Sequence, residues 1–461
     1  MRLVAALSPL LLLTACATRG PVQAPAAPPA PAHWSEIRAD GASPAWAPLL
    51  DARLRELQAQ ALQANTDIAA AALGFKQAQL QAEQQGLRVR PSASLSSSAN
   101  KPLQSQGGSI DIDGVRVPVG SNTQWSRSHG ASVSVSYEAD LWNRLAQAQV
   151  QQQALSEAAR SDIDAARLLI VCRVAESFWT LATQAHFERI ARAKLALAEQ
   201  ALPLVSLRVR EGKLPPLEID KAAANVQSAR QALAQVEAAT AKARLALAGL
   251  LDQAPPGPVL TDATLPTAAL PAWLPDEPPQ VLERRPDIRR ARLEVDAALA
   301  NARATHAARY PQLTFSAGLG TGGQRLSDWF SQPLLSLAAG LTVPLIDWRR
   351  LDIADAQART SLESAALRLR ASVNKALGEV QSQLIDAKQL EAQRLAIDER
   401  LQQAVESERL ADLKLDVGSL ALVDALQIRI ARLDAEQAAQ QQRLDALLNR
   451  LSLLRALAIA P

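Results

Sequence analysis

Ser361–Lys388 reads SLESAALRLRASVNKALGEVQSQLIDAK, and its spacing decides the fold. Leu362, Ala366, Leu369, Val373, Ala376, Val380, Leu384 and Ala387 recur at steps of three and four, and Leu390, Ile397, Leu401 and Ala404 resume the pattern. That spacing is a coiled-coil seam. The surrounding stretch from Leu345 to Ala460 lacks proline, and its only glycines are Gly378 and Gly418. A helix from about Trp348 to Lys414, rising about 1.5 Å per residue, is roughly 100 Å long. Gly418 offers the left-handed residue that ends such a helix, and a second periodic segment from about Leu420 to Leu457 runs back antiparallel. The stretch is therefore expected to form a long helical hairpin with its tip near Gly418.

The same plan stands upstream. After Leu141-Trp142-Asn143-Arg144 a helical pattern runs to about Arg210, Gly212 and Pro215-Pro216 turn the chain, and a helix from Leu217 to Leu250 returns. Trp142 and Trp348, Val174 and Val380, Gly212 and Gly418, and Glu218 and Asp424 all differ by 206 positions, which marks a tandem repeat. Pro91 and Pro311 differ by 220, so the first half carries about fourteen more residues, in the loop after Lys101. Before each long helix the period changes from helical to two: Ser92-Ala93-Ser94-Leu95-Ser96 and Ser132-Val133-Ser134-Val135-Ser136-Tyr137 in the first half, Gln312 to Leu319 and Leu337 to Val343 in the second. These are strands. A Gly/Ser/Asn-rich loop from about Lys101 to Gly130 separates the first pair, and a loop containing Asp328-Trp329-Phe330 the second.

The elements divide the chain as follows. Residues 1–15 are a secretory signal and 16–47 an anchor and Pro/Ala-rich linker. Residues 48–252 are the first repeat, with its β-hairpin at about 91–138 and its tip near 212. Residues 253–279 form a Pro-rich segment expected to wrap across the helices. Residues 280–461 are the second repeat, with its β-hairpin at about 311–345. Helical periodicity in the first repeat breaks near Asn65-Thr66-Asp67 and is expected to stop at Arg90-Pro91. Glu283-Arg284-Arg285-Pro286-Asp287-Ile288 is expected to start the helix of the second repeat, which reaches about Arg309. Pro203, inside the first long helix, is expected to kink or end it.

Composition narrows the class. Aromatics are 3% of the 461 residues and hydrophobics 48%, mostly Ala and Leu, which suits thin helix seams rather than a thick core. The 49 basic and 46 acidic residues are interspersed, so no nucleic-acid surface is expected. His33, His129, His186 and His306 lack metal-ligand spacing, and neither a phosphate-binding glycine loop nor a nucleophile motif occurs. No enzyme, cofactor or metal centre is expected. Cys172, within an apolar run, reads as a small buried hydrophobe.

Arg2 and the apolar run Leu3 to Leu13 form the signal, too short to span a bilayer permanently. Leu13-Thr14-Ala15-Cys16 resembles the bacterial lipobox, in which cleavage precedes a cysteine that becomes the lipid-bearing first residue; the alternative is a plain signal with an incidental cysteine. By the same resemblance Ala17 and Thr18, in place of an inner-membrane retention aspartate, imply sorting to the outer membrane. Four strands of about eight to ten residues cannot close a barrel, and serine alternating with small apolar residues is the signature of strands between lipid and a wet lumen. Several copies of the chain must supply the missing strands. Trp142 and Trp348 fall where each half leaves its strands, as interfacial anchors or as core residues.

At Leu13 to Cys16, Arg285-Pro286-Asp287-Ile288, Tyr310-Pro311, Pro344-Leu345-Ile346-Asp347-Trp348 and Gly418 to Asp424, the chain resembles the TolC-like outer-membrane efflux proteins, nearest their lipoprotein branch of OprM/NodT type. The resemblance implies a mainly α protein with a small β part, in which a homotrimer gives twelve strands to an outer-membrane β-barrel continued by a periplasmic α-helical barrel. It implies an exit duct held in outer-membrane lipid by an acylated Cys16, palmitate included. Its partners would be a periplasmic adaptor and an inner-membrane pump of the resistance-nodulation-division type. Asp347-Trp348-Arg349-Arg350 departs from the family's usual Phe-Asp and glycine before the arginine. By resemblance Asp424 belongs to an acidic ring at the periplasmic gate, and Glu218 stands at the matching place six residues past its turn glycine. Like charges held close in a constriction attract cations; alternatively, both carboxylates only favour a helix start. Lys213, Lys221, Arg409 or Arg429 are expected to pair across tips in the closed state. Rival classes are a periplasmic coiled-coil lipoprotein anchored by Cys16, and the adaptor itself, which needs one hairpin and compact β domains.

Overall fold

The computed structural model describes residues 22–26, 31–34, 45–101, 108–119, 125–257, 264–266, 277–325, 333–344 and 346–461. The lipobox, most of the Pro-rich segment and Asp328-Trp329-Phe330 lie outside them. After a 3-10 turn at Ala47–Leu49, the first repeat runs α1 (Ala52–Ala64), α2 (Thr66–Gly86), β1 (Val89–Asn100), β2 (Gly108–Ile112), β3 (Val115–Val119), β4 (Ser126–Ala139), α3 (Arg144–Arg210) and α4 (Leu217–Leu250). The second runs α5 (Pro278–Arg284), α6 (Pro286–Ala307), β5 (Gln312–Gly323), β6 (Leu334–Thr342), α7 (Trp348–Asp416) and α8 (Leu422–Ala456). The chain is thus mainly helical with a small antiparallel sheet, and no described helix is long and apolar enough to cross a membrane.

Several boundaries differ from expectation for local reasons. The helix before β1 stops at Gly86 rather than at Arg90-Pro91, and Pro91 lies inside β1, opposite Val135. β1 is an edge of its sheet, where a residue without an N–H is tolerated. The break at Asn65 is a capping site: its side-chain Oδ1 accepts from the N–H groups of Asp67 at 2.9 Å and Ile68 at 3.4 Å, and its Nδ2 donates to the Leu250 carbonyl at 3.0 Å. The second repeat opens with two helices, not one, because Arg285 adopts extended backbone ahead of Pro286. Helix α3 continues through Pro203 to Arg210 and does not end early. The Lys101–Gly130 loop contains the β2–β3 hairpin, turned by Asp113 (φ 53°) and Gly114 (φ 83°), the positive-φ pair of a type I′ turn.

Two compact units divide the chain, the first mainly Gln77–Ser156 with Glu294–Ala366, the second Ala26–Lys76, Glu157–Leu293 and Leu367–Pro461. The first holds the sheet, in the order β1-β4-β5-β6, antiparallel throughout. The second holds a core that composition did not foretell: Trp34, Trp46, Phe178 and Trp179 gather there with leucines of α1, α4 and α8. Trp34 belongs to the expected free linker, yet it is buried in that core. Burial of its large indole stabilises that placement. Val174 and Val380, equivalent in the repeat, are both fully buried in the same core.

Candidate functional site

The sheet has two unlike faces. Ser92, Ser94 and Ser98 stand directly opposite Ser134, Ser132 and Ser128, and each hydroxyl pair is 2.8 Å apart. Across the next ladder Ser134 and Ser132 face Gly318 and Gly320. This face presents hydroxyls and bare backbone. Period-two alternation puts Leu95, Val133, Tyr137, Phe315, Leu319 and Leu337 on the other face, and all of them are exposed, from 41% for Tyr137 to 76% for Leu337. A contiguous exposed apolar face of this size marks a surface made for a partner or for lipid. The strands, of 12, 14, 12 and 9 residues, suit a bilayer, which needs about 9–11 tilted residues. Among the described residues both edge strands, β1 and β6, lack a second partner. The glycines permit close strand approach: a Cβ at Gly322 would lie 2.9 Å from the His129 carbonyl oxygen.

Side chains lock the passage from strand to helix. Asp140 accepts from the N–H groups of Leu145 at 3.0 Å and Ala146 at 2.7 Å, satisfying two orphan donors of α3. Arg144 grips Glu138 at 2.6 Å, and Arg88 reaches Asp140 at 3.5 Å. Trp142, 44% exposed, donates its indole N–H to the Pro311 carbonyl at 2.8 Å and stacks on Tyr310 with centroids 4.8 Å apart. Trp348, also partly exposed, is the first residue of α7. In the second repeat the fully buried Asp355 takes the comparable load. Arg359 Nε donates to it at 3.0 Å, His306 Nδ1 lies at 3.3 Å and Arg309 at 3.7 Å, while Arg309 also holds Asp352 at 2.6 Å. Burial alone would raise the Asp355 carboxyl, but Arg359, Arg309 and His306 hold it below the usual carboxylate range. Sequence reasoning missed this cluster; its one legible trace is the i,i+4 spacing of Asp355 and Arg359.

The two hairpin tips share one local geometry. Gly212 (φ 72°) donates to Val209 at 2.9 Å and Lys213 to Arg208 at 2.9 Å; Gly418 (φ 70°) donates to Leu415 at 3.0 Å and Ser419 to Lys414 at 2.8 Å. Both are Schellman closures with glycine at the left-handed position. Neither returning helix has a side-chain cap. Glu218 and Asp424 instead stand in their first turns, where a carboxylate offsets the exposed N–H groups. The basic residues expected to pair across tips are each engaged within their own hairpin. Lys213 holds Glu211 at 2.8 Å, Lys221 holds Glu218 at 2.7 Å, Arg409 holds Glu406 at 2.7 Å, and Arg429 of α8 holds Asp412 of α7 at 2.9 Å. Partners on the same hairpin, two of them three residues away, meet at lower entropic cost than partners on another hairpin.

The Arg-Pro-Asp segment is a clamp. The buried Arg285 guanidinium donates to Asp287 at 2.8 and 3.0 Å, to Glu379 of α7 at 2.7 Å, and to the carbonyl of Ala456, the last residue of α8, at 2.8 Å. It thereby satisfies an orphan carbonyl at a helix C-terminus, where positive charge is favourable. Burial opposes the charged forms of both Arg285 and Asp287, yet their mutual hydrogen bonds raise the arginine and lower the carboxyl. Further toward the tips, Glu436 of α8 joins Arg189 at 2.6 Å and His186 at 3.1 Å on α3. Cys172 is buried, and burial pushes its thiol up to about 12.

A family model described as outer membrane efflux protein matches residues 57–253 and 278–458. The chain is 30% identical over 470 residues to the pyoverdine export outer membrane protein OpmQ of Pseudomonas aeruginosa, covering 99% of this chain and 96% of that one. It is 27% identical over 260 residues to the cation efflux system protein CusC of Escherichia coli K12, covering 52% and 54%. Its fold is similar to the solved outer-membrane channel OprN, with a TM-score of 0.77 at 21% identity over 96% of this chain and 98% of that one.

Proposed function

Because this chain belongs to the outer membrane efflux protein family, we propose that it is the exit duct of a tripartite efflux pump, built as a trimer whose twelve strands form one outer-membrane barrel. The observation that carries this reading is the two-faced sheet, whose two edges are unpaired among the described residues. A sheet open within a bilayer leaves backbone groups without partners. Pairing β1 of one copy with β6 of the next removes every edge, turns the apolar face to lipid and the serine-glycine face to a wet lumen. The long helices continue the duct through the periplasm to an adaptor and an inner-membrane pump of the resistance-nodulation-division type. Cys16, processed at Leu13-Thr14-Ala15, anchors each copy by its lipid, and Trp142 and Trp348 sit at the membrane boundary.

In this reading Gly212 and Gly418 turn the chain at the periplasmic mouth, and Glu218 and Asp424 of three copies ring it with about six carboxylates. The idle duct is shut there, and adaptor docking biases it open. Local engagement of Lys213, Lys221, Arg409 and Arg429 leaves Asp424 as the better gate candidate of the two carboxylates, since Glu218 is paired with Lys221. The full-length likeness to a pyoverdine exporter supports a small iron chelator as the first cargo to test, ahead of a metal ion. The decisive experiment is single-channel conductance of the lipidated protein in planar bilayers, with Glu218→Ala/Asp424→Ala beside wild type. Low wild-type conductance that rises in the double variant supports the gated duct. Absence of conductance in both, despite insertion, favours a coiled-coil spacer, which unlike an integral barrel need not stay with the membrane on alkaline extraction.

A further inference from the structure

The two ends of the sheet differ in charge. At the end that joins the helices, Arg144 is paired with Glu138 at 2.6 Å and Arg88 with Asp140 at 3.5 Å, while the exposed Arg90 makes no ion pair among the described residues. At the end that joins the loops, three exposed basic groups are unpaired among the described residues. Arg127 and His129 lie on β4 in register with Ala99 and Ser97 of β1, four and two residues beyond Ala131 on the face that carries Val133 and Leu95. Ser97 Oγ, 2.9 Å from His129 Nδ1, fixes the imidazole on that face. Lys101 directly follows the end of β1, and Arg325 follows β5 by two residues; both are exposed, as is Arg127. Among the described residues Lys101, Arg127 and Arg325 make no ion pair. The carboxylates described nearby in sequence are Asp111 and Asp113 of the β2–β3 hairpin, and Asp111 already accepts from the Gly114 N–H at 3.0 Å. Trp125, 63% exposed, precedes β4 at the same end.

The spacing matches a bilayer leaflet boundary. Ten residues separate Tyr137, the last aromatic of the apolar face on β4, from Arg127. At about 3.4 Å per residue and a tilt of about 40°, that is about 25 Å along the membrane normal, the height of the apolar band of an outer-membrane barrel. The basic groups therefore stand immediately above the hydrocarbon, at headgroup level. Exposed basic groups gathered at one level attract an anionic partner, and the apolar surface directly below them fits acyl chains. We propose that Lys101, Arg127, His129 and Arg325 form a collar that binds the phosphate groups of outer-leaflet phosphoglycolipid. The assignment rests on the duct reading, which puts the loop end of the sheet outside the cell. It adds a headgroup-specific contact to an otherwise nonspecific lipid surface.

The test uses the purified full-length trimer in detergent and native mass spectrometry with diphosphorylated lipid A and its dephosphorylated form. Wild type is expected to prefer the diphosphorylated lipid. Lys101→Gln/Arg127→Gln/Arg325→Gln should lose that preference by roughly fivefold per charge removed, and Arg88→Gln should retain it. The triple variant should keep wild-type melting and conductance, since its three side chains are exposed. Equal binding of both lipids by wild type, an unchanged preference in the triple variant, or displacement of the lipid by excess inorganic phosphate overturns the collar. Planar-bilayer conductance separates the two ideas: a conducting wild type without phosphate preference sinks the collar alone, whereas a wild type that neither inserts nor conducts sinks the duct reading and the collar with it.

Discussion

Arg285→Ala tests whether the Arg-Pro-Asp segment is a structural clamp. The substitution removes four hydrogen bonds, and the groups left behind fare differently. Asp287 and Glu379 retain 47% and 39% side-chain exposure, so water replaces most of what they lose and each pair counts at the surface value of about 0.5–1 kcal/mol. The Ala456 carbonyl is bound in a buried contact, and a buried acceptor left unmatched costs about 1–3 kcal/mol. With the packing of the arginine stem, whose side chain is only 8% exposed, the expected loss is about 3 kcal/mol. Conversion at about 2 °C per kcal/mol for a large unit gives a fall in melting temperature of roughly 6 °C, read by circular dichroism of the detergent-solubilised protein. Arg285→Lys keeps the charge but reaches fewer acceptors, and should lose about half as much. A change of less than about 1 °C in Arg285→Ala would show that the end of α8 is held by something else.

Three further outcomes follow from the geometry. Gly322→Ala should impair assembly in the membrane, because its Cβ meets a backbone carbonyl at 2.9 Å rather than a movable side chain; heat-resistant trimer on a gel is the readout, and Gly74→Ala, with nothing within 4 Å, is the control. Cys172, whose thiol is pushed up to about 12, should resist maleimide at pH 8 in the folded protein and react once urea opens the core. Asp355 has its carboxyl held below the ordinary value of 3.8, so its stabilisation is complete above that value and disappears as the pH falls through the depressed folded one. A melting curve taken from about pH 6 to about pH 2 should therefore steepen at its acid end, and Asp355→Asn should flatten that part.

The sequence by itself determined the elements and their repetition. Heptad spacing around Val380, the left-handed glycines at 212 and 418 and the period-two serines are local signals, because backbone geometry alone dictates which side chains share a face. What escaped it depends on residues far apart in the chain. Pro91 reads as a helix stop until β1 proves to be an edge strand that tolerates it. Trp34 reads as linker until it is buried beside Trp179. The Arg285 clamp spans 171 positions to Ala456, and Asp355 gathers its partners from two helices. Tertiary structure also decided the two-faced character of the sheet across all four strands, since only the register places Ser134 between Ser92 and Gly318. A single strand shows alternation; only neighbouring strands, aligned by their hydrogen bonds, turn it into one apolar face and one of hydroxyls and bare backbone.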